Sequence, residues 1–129
     1  MSSIFTKIIN GEIPCYKVAE TESFLAFLDV NPNALGHTLV VPKKEVNKLF
    51  DLDRETYLGL MDFAYTVAGA LEKAVPCKRV GMAVIGLEVP HVHIHLIPLN
   101  QMTDATFGKK VTLTPEEFVA VAEKISGNL

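Results

Sequence analysis

His91-Val92-His93-Ile94-His95-Leu96-Ile97-Pro98 is the stretch whose reading decides the fold. Apolar residues alternate with three imidazoles, the pattern of a half-buried β-strand whose successive side chains point to opposite faces. Val92, Ile94 and Leu96 are predicted to enter the core, while the three histidines share the other face. At a rise of roughly 3.3 Å per residue, neighbouring histidines stand about 6.5 Å apart along that face. Three of the four histidines of the chain lie here. A strand does not need such a row for stability; the row suits an extended anionic group or a metal.

Working outward, residues 79–85 read as a strand that turns through 86–90 into the histidine strand. Upstream, Asp53 is an N-cap candidate for a long helix over 53–74, ended by Pro76. Its apolar stripe is Tyr57, Leu60, Met61, Ala64, Val67, Ala68 and Leu71. Gly59, Gly69 and Ala70 fall off that stripe and offer a close approach to another element. Residues 37–42 read as a strand stopped by Pro42, 31–36 as a turn-rich loop, and 16–20 with 24–28 as a hairpin. A short helical turn over 4–9 ends at Asn10-Gly11. Downstream, 99–112 reads as one long irregular segment. Thr114-Pro115-Glu116-Glu117 then combines an N-cap, a first-position proline and a capping-box glutamate, opening a final amphipathic helix through about residue 125. The order β-β-β-α-β-β-α predicts an α+β domain over 1–129, a five-stranded antiparallel sheet carrying one long helix and a C-terminal helix.

Composition sets the bounds. A chain of 129 residues, 49% apolar and 21% charged, is ordinary for one globular domain. A net charge of -3 and a pI of about 5.8 argue against a protein that coats a nucleic acid polymer, but not against a single nucleotide as ligand. Lys43-Lys44 and Lys109-Lys110 read as solvated surface. Cys15 and Cys77 form no CxxC pattern, so reduced thiols are expected. With no apolar membrane span and no signal-like start, the chain reads as soluble and cytoplasmic.

An imidazole with a pKa near 6.5 can serve as nucleophile, base or acid at neutral pH. A neutral nitrogen can attack phosphorus and split a hard hydrolysis into two steps through a phosphoryl- or nucleotidyl-histidine. Neighbouring imidazoles can donate to phosphate oxygens or assist the leaving group. The rival is a metal, since alternate strand histidines do ligate zinc, with Glu88 or His37 as further ligands.

The run from His91 to Ile97 resembles the His-φ-His-φ-His-φ-φ signature of the histidine triad (HIT) family of nucleotide hydrolases and transferases. Ser3 to Pro14 resembles that family's N-terminal segment, and Asp29 to Pro32 with Gly36 to Lys43 resembles its central block. The resemblance covers roughly residues 3 to 100. It implies that His93 is the nucleophile on an α-phosphate and that His95 contacts phosphate oxygens or assists the leaving group. His91 would orient His93, largely through its backbone carbonyl, and His37 would complete the site. Asp29 resembles the family's ribose ligand, and Ile4, Phe5, Ile8, Phe27 and Val30 its apolar slot for the base.

The chain also departs from the pattern. Many relatives carry a zinc-binding Cys-φ-φ-Cys where this chain has Ser3 and Thr6, so no metal and no cofactor are expected. The stretch 85–91 is several residues shorter than in relatives and lacks their asparagine and glutamine. Glu88 falls about where a hydroxyl residue is expected, and a carboxylate there would repel a phosphate. The resemblance implies a homodimeric nucleotidyl hydrolase that takes a purine nucleoside phosphoramidate or related nucleotide conjugate through a covalent nucleotidyl-histidine. A dinucleoside polyphosphate hydrolase and a non-catalytic nucleotide-binding protein are the alternatives.

Overall fold

The computed structural model describes residues 2–129. Strands β1 (Lys17–Glu20), β2 (Phe24–Leu28), β3 (Thr38–Pro42), β4 (Arg79–Ala83) and β5 (Ile94–Leu99) form one sheet in the order β1-β2-β3-β5-β4. Every neighbouring pair is antiparallel. Helices α1 (Ile4–Ile9), α2 (Arg54–Ala74) and α3 (Pro115–Ser126) complete the fold. Short 3-10 turns fall at Leu49–Asp51 and at Met102–Ala105, inside the segment expected to be wholly irregular. The helix ends are set as the sequence predicts. Asp53 caps α2 by accepting from the Thr56 N–H, and Thr114 and Glu117 close a reciprocal capping box on α3. Among the described residues, no helix is long and apolar enough to cross a membrane.

Period-two alternation divides the sheet into two faces. Ala26, Leu28, Val40, Ile94 and Leu96 face one way and join Val92, Leu60, Ala64, Val67 and Leu71 in the main core with α2 and α3. Leu25, Phe27, Leu39 and Val41 face the other way and pack with Phe5 of α1. The ladder pairs Phe27 with Leu39 and Leu39 with His95, so this second face carries the row Phe27, Leu39, His95 across three strands.

The histidine stretch differs from expectation in one respect. Its side chains alternate as predicted, but the strand begins at Ile94, not at His91. The Val92 N–H goes to the Val46 carbonyl, outside the ladder, and the His91 N–H turns back to the Val89 carbonyl. Strand β4 likewise ends at Ala83, paired with His95, rather than at Ile85. Ala70 is also corrected. It is buried in the main core beside Val67 and Leu71, and Gly59 faces Phe24 of the same chain, so neither waits for an outside element.

The loop between β2 and β3 depends on Gly36. Its φ of +91° is left-handed, and an added Cβ would stand 2.9 Å from Val75 Cγ2 and 3.0 Å from Leu71 Cδ1, both in the core. The Thr38 hydroxyl donates to the Gly36 carbonyl and closes the turn. Gly36→Ala should therefore cost about 1–3 kcal/mol through combined backbone strain and overpacking. Chemical denaturation of parent and variant measures it; an unchanged midpoint would contradict the packing described.

Candidate active site

A cavity of about 670 Å³ opens on the second face of the sheet, lined by Ile4, Phe5, Ile8, Phe27, Asp29, Val30, Glu88, His93 and His95. Nine of the eleven residues singled out from the sequence thus reach one space. The other two, His91 and His37, are completely enclosed and stand behind the lining. Ile4 and Val30 are 47% and 68% exposed, and they make an open apolar rim. Glu88 also lines the cavity and is exposed.

His91, His93 and His37 are each held by a backbone group that can only donate or only accept, and the tautomer of His95 follows from that of His37. His93 Nδ1 lies 2.7 Å from the His91 carbonyl, which only accepts, so Nδ1–H donates and the neutral tautomer carries its lone pair on Nε2. Its ring packs edge-on against Phe5, at 4.9 Å between centroids. His91 Nε2–H donates to the Pro42 carbonyl at 2.8 Å, and Nδ1 accepts from the Ser3 hydroxyl at 2.7 Å. Ser3 also caps α1 through the Thr6 N–H, and Glu45 accepts from the Ser3 N–H and the Thr6 hydroxyl. The backbone N–H of Asn33 donates to His37 Nδ1 at 2.9 Å. The proton of neutral His37 must then sit on Nε2, where it donates to His95 Nδ1 at 3.0 Å. His95 in turn keeps its proton on Nε2. One side of the site therefore offers a nucleophilic lone pair, and the other an N–H donor.

Burial drives His37 down to about 3 and His95 down to about 4. The neighbouring imidazole and the Lys110 ammonium push each of them further the same way. Burial also lowers His91, opposed by the Pro42 carbonyl and Glu45. It raises Asp29, opposed by the Asn31 N–H and then by Lys110 and His93. Asp29 Oδ2 stands 3.6 Å from His37 Nε2, but with His37 neutral this is not an ion pair. Asp29 and His37 close the two ends of the β2–β3 loop, where the Asp29 N–H donates to the His37 carbonyl.

Asp29, His37 and His95 bring ligand atoms within 4.8 Å of one another. They do not fit a resident metal, because the Asn33 N–H occupies Nδ1 of His37 and leaves the proton on the nitrogen that would have to coordinate. Ser3 and Thr6 bring hydroxyls to His91, and hydroxyls are not the thiolates that a structural zinc site uses.

Three residues escaped the sequence reading. Asn33 lay in a loop with only turn-forming character, and Phe107 and Lys110 lay in the irregular segment. Phe107 has a φ of +62°, unusual for a bulky residue. Its ring meets His95 at 4.8 Å. Lys110 lines the cavity and donates to Asn33 Oδ1 at 2.7 Å, so it is not the solvated surface residue expected of Lys109-Lys110. No local pattern marks these contacts, and the Lys110–Asn33 bond joins residues 77 positions apart.

The chain is similar to known proteins over nearly its whole length. The family described as HIT domain matches residues 10–102. The adenosine 5'-monophosphoramidase of Schizosaccharomyces pombe is 37% identical over 133 residues, covering 100% of this chain and 99% of that protein. A HIT-like protein from Bartonella henselae, described as involved in cell-cycle regulation, superposes with a TM-score of 0.87 at 32% identity, covering 99% and 96% of the two chains. A zinc-bound histidine triad family protein from Mycobacterium smegmatis gives 0.82 at 25% identity, covering 99% and 93%. The chain belongs to the HIT family and has its α+β fold.

The neutral imidazoles make stability depend on pH. His37 has a native pKa of about 3 against 6.5 for the free side chain, so below 6.5 the unfolded chain takes up a proton that the native site refuses. The contribution is complete above about pH 6.5 and is lost as pH falls toward 3, at up to about 1.4 kcal/mol per pH unit. Asn at position 37 can still accept from the Asn33 N–H without titrating. His37→Asn should flatten the fall in unfolding free energy between about pH 6 and 4.5, as measured by denaturant titration. Parallel slopes would show that His37 is not held neutral.

Proposed function

We propose that this chain is a nucleotidyl hydrolase that transfers a nucleoside monophosphate to His93 and then to water. The observation that carries the reading is the pairing of a free Nε2 lone pair on His93 with an Nε2–H donor on His95, in a cavity with an apolar rim and a carboxylate. His93 Nε2 attacks the α-phosphorus. The positive charge that develops on its ring is met by the His91 carbonyl at Nδ1–H. His95, neutral and with its proton on Nε2, donates to a phosphate oxygen. A neutral imidazole is far too weak an acid to protonate a leaving group, so this donor role is the one its environment supports.

For a phosphoramidate, the substrate nitrogen is protonated before cleavage and departs as the neutral amine with the P–N bonding pair. Water then attacks phosphorus, the His93–phosphorus bond breaks with its electron pair returning to Nε2, and one water proton is released. Asp29 accepts from the ribose hydroxyls, and Ile4, Phe5, Ile8, Phe27 and Val30 hold the base. A phosphoramidate substrate is supported by the S. pombe relative and by the adenosine 5'-monophosphoramidase of Saccharomyces cerevisiae, 41% identical over 96 residues.

Brief incubation with an adenosine phosphoramidate followed by mass spectrometry should find an adenylyl adduct on His93. His93→Ala should abolish the adduct and lower turnover by about a thousandfold or more. Binding of AMP with no adduct and equal rates for parent and variant would point to a non-catalytic nucleotide-binding protein. Turnover should also persist in chelator, since the reading routes no step through a metal; loss on chelation with recovery on added zinc would overturn it.

A further inference from the structure

Charge is spread unevenly around the cavity. Apart from the histidines, the ionisable side chains among its described lining residues that carry charge are Asp29, Glu88 and Lys110. Lys110 donates to Asn33 Oδ1 and so stands with Asp29 on the side of the β2–β3 loop. Glu88 is alone on the other side, and no ion pair among the described residues includes it. The order of the strands separates the two sides. Crossing the sheet from β2 to β4, one meets Asp29 after β2, His37 before β3, then the histidine row, and last the turn that continues β4. His95 marks the midline, paired with Leu39 of β3 on one side and Ala83 of β4 on the other. The turn itself is anchored. Gly86 takes a left-handed φ of +74°, Val89 packs on the cluster of Phe5 and Phe27, and the Val89 carbonyl accepts from the His91 N–H. Glu88 therefore stands on a fixed rim.

In the proposed reaction the nucleoside fills the side of Asp29 and α1, and the phosphate meets His93 and His95. The lining left for the leaving group is the turn, where Ile85 and Leu87 are 52% and 89% exposed beside Glu88. Such a wall offers a hydrocarbon surface and one unpaired negative charge. We infer that Glu88 is the specificity residue that reads the charge of the leaving group, favouring an aliphatic amine that carries a second, protonated amine and disfavouring an anionic one. This inference rests on the hydrolase reading of the cavity. An exposed carboxylate acts through water, so the preference is modest, about fivefold for each unit of leaving-group charge. It also bears on the polyphosphate alternative, because a departing nucleotide that carries phosphate brings like charge to the rim.

The test uses adenosine phosphoramidates of near-equal length whose nitrogen carries an aminopropyl, a butyl or a carboxypropyl group. kcat/KM is measured for each on the parent, Glu88→Gln and Glu88→Lys, and read as ratios between substrates within one protein. Comparing those ratios between proteins cancels the intrinsic reactivity of each P–N bond. The aminopropyl-to-butyl ratio should be about fivefold higher in the parent than in Glu88→Gln, and the carboxypropyl-to-butyl ratio lower by a similar factor. Glu88→Lys should reverse both, and high salt should shrink them. Equal ratios in the parent and Glu88→Gln overturn the inference, even where the variant is slower on all three substrates, since a uniform loss would make Glu88 a part of the turn alone. If the parent turns over none of the three, the hydrolase reading is lost, and the same ratios are taken from calorimetric Kd values. A charge ranking that vanishes in Glu88→Gln would then keep Glu88 as a binding determinant, and equal affinities would remove it as well.

Discussion

One backbone N–H, that of Asn33, fixes the protonation of half the site. Because it can only donate, His37 must present a lone pair at Nδ1 and a proton at Nε2, and His95 must follow suit. The outcome is two neighbouring imidazoles, His93 and His95, held through opposite hydrogen-bonding partners at Nδ1. His93 shows a lone pair to the cavity because a carbonyl holds its other nitrogen, and His95 shows a proton because His37 holds its own. The hydrogen-bond pattern of the row thus depends on two backbone groups, the Asn33 N–H and the His91 carbonyl.

Such a row is costly to bury unless every nitrogen turned away from the cavity has a partner. Here each one has. His91 is held at both nitrogens by Pro42 and Ser3, and His37 by Asn33 and His95. Among the described residues, no fully buried side-chain nitrogen or oxygen lacks a hydrogen bond. Complete pairing lets His37, His91 and His95 stay neutral in a setting that disfavours an imidazolium.

Much of this was legible in the sequence, and the boundary is instructive. Alternation between 91 and 97 separated core from cavity residues correctly because a period of two survives whether or not the ladder is formed. The start of β5 was not legible, since it depends on where the Val92 N–H finds its acceptor, and Val46 is remote in the chain. The caps Asp53 and Thr114 were legible because their partners lie within three residues. Asn33 and Lys110 were not, because their meaning lies in contacts made across more than seventy positions, and Phe107 was not, because nothing local marks its packing on His95. Ala70 was misplaced because the buried face of α2 is wider than the minimal stripe.

The cap of α1 has a consequence for the order in which the molecule assembles. A helix of six residues lacks the length to persist alone in water. What fixes it lies far along the chain, since Ser3 is bound to His91 and Phe5 packs on Phe27 and His93. Those anchors are brought together only by the pairing of β2, β3 and β5. The N-terminal turn can therefore dock only after β2, β3 and β5 have paired. The wall it contributes, Ile4, Phe5 and Ile8, is a late arrival in folding, so the histidines stand in register before the cavity has that side.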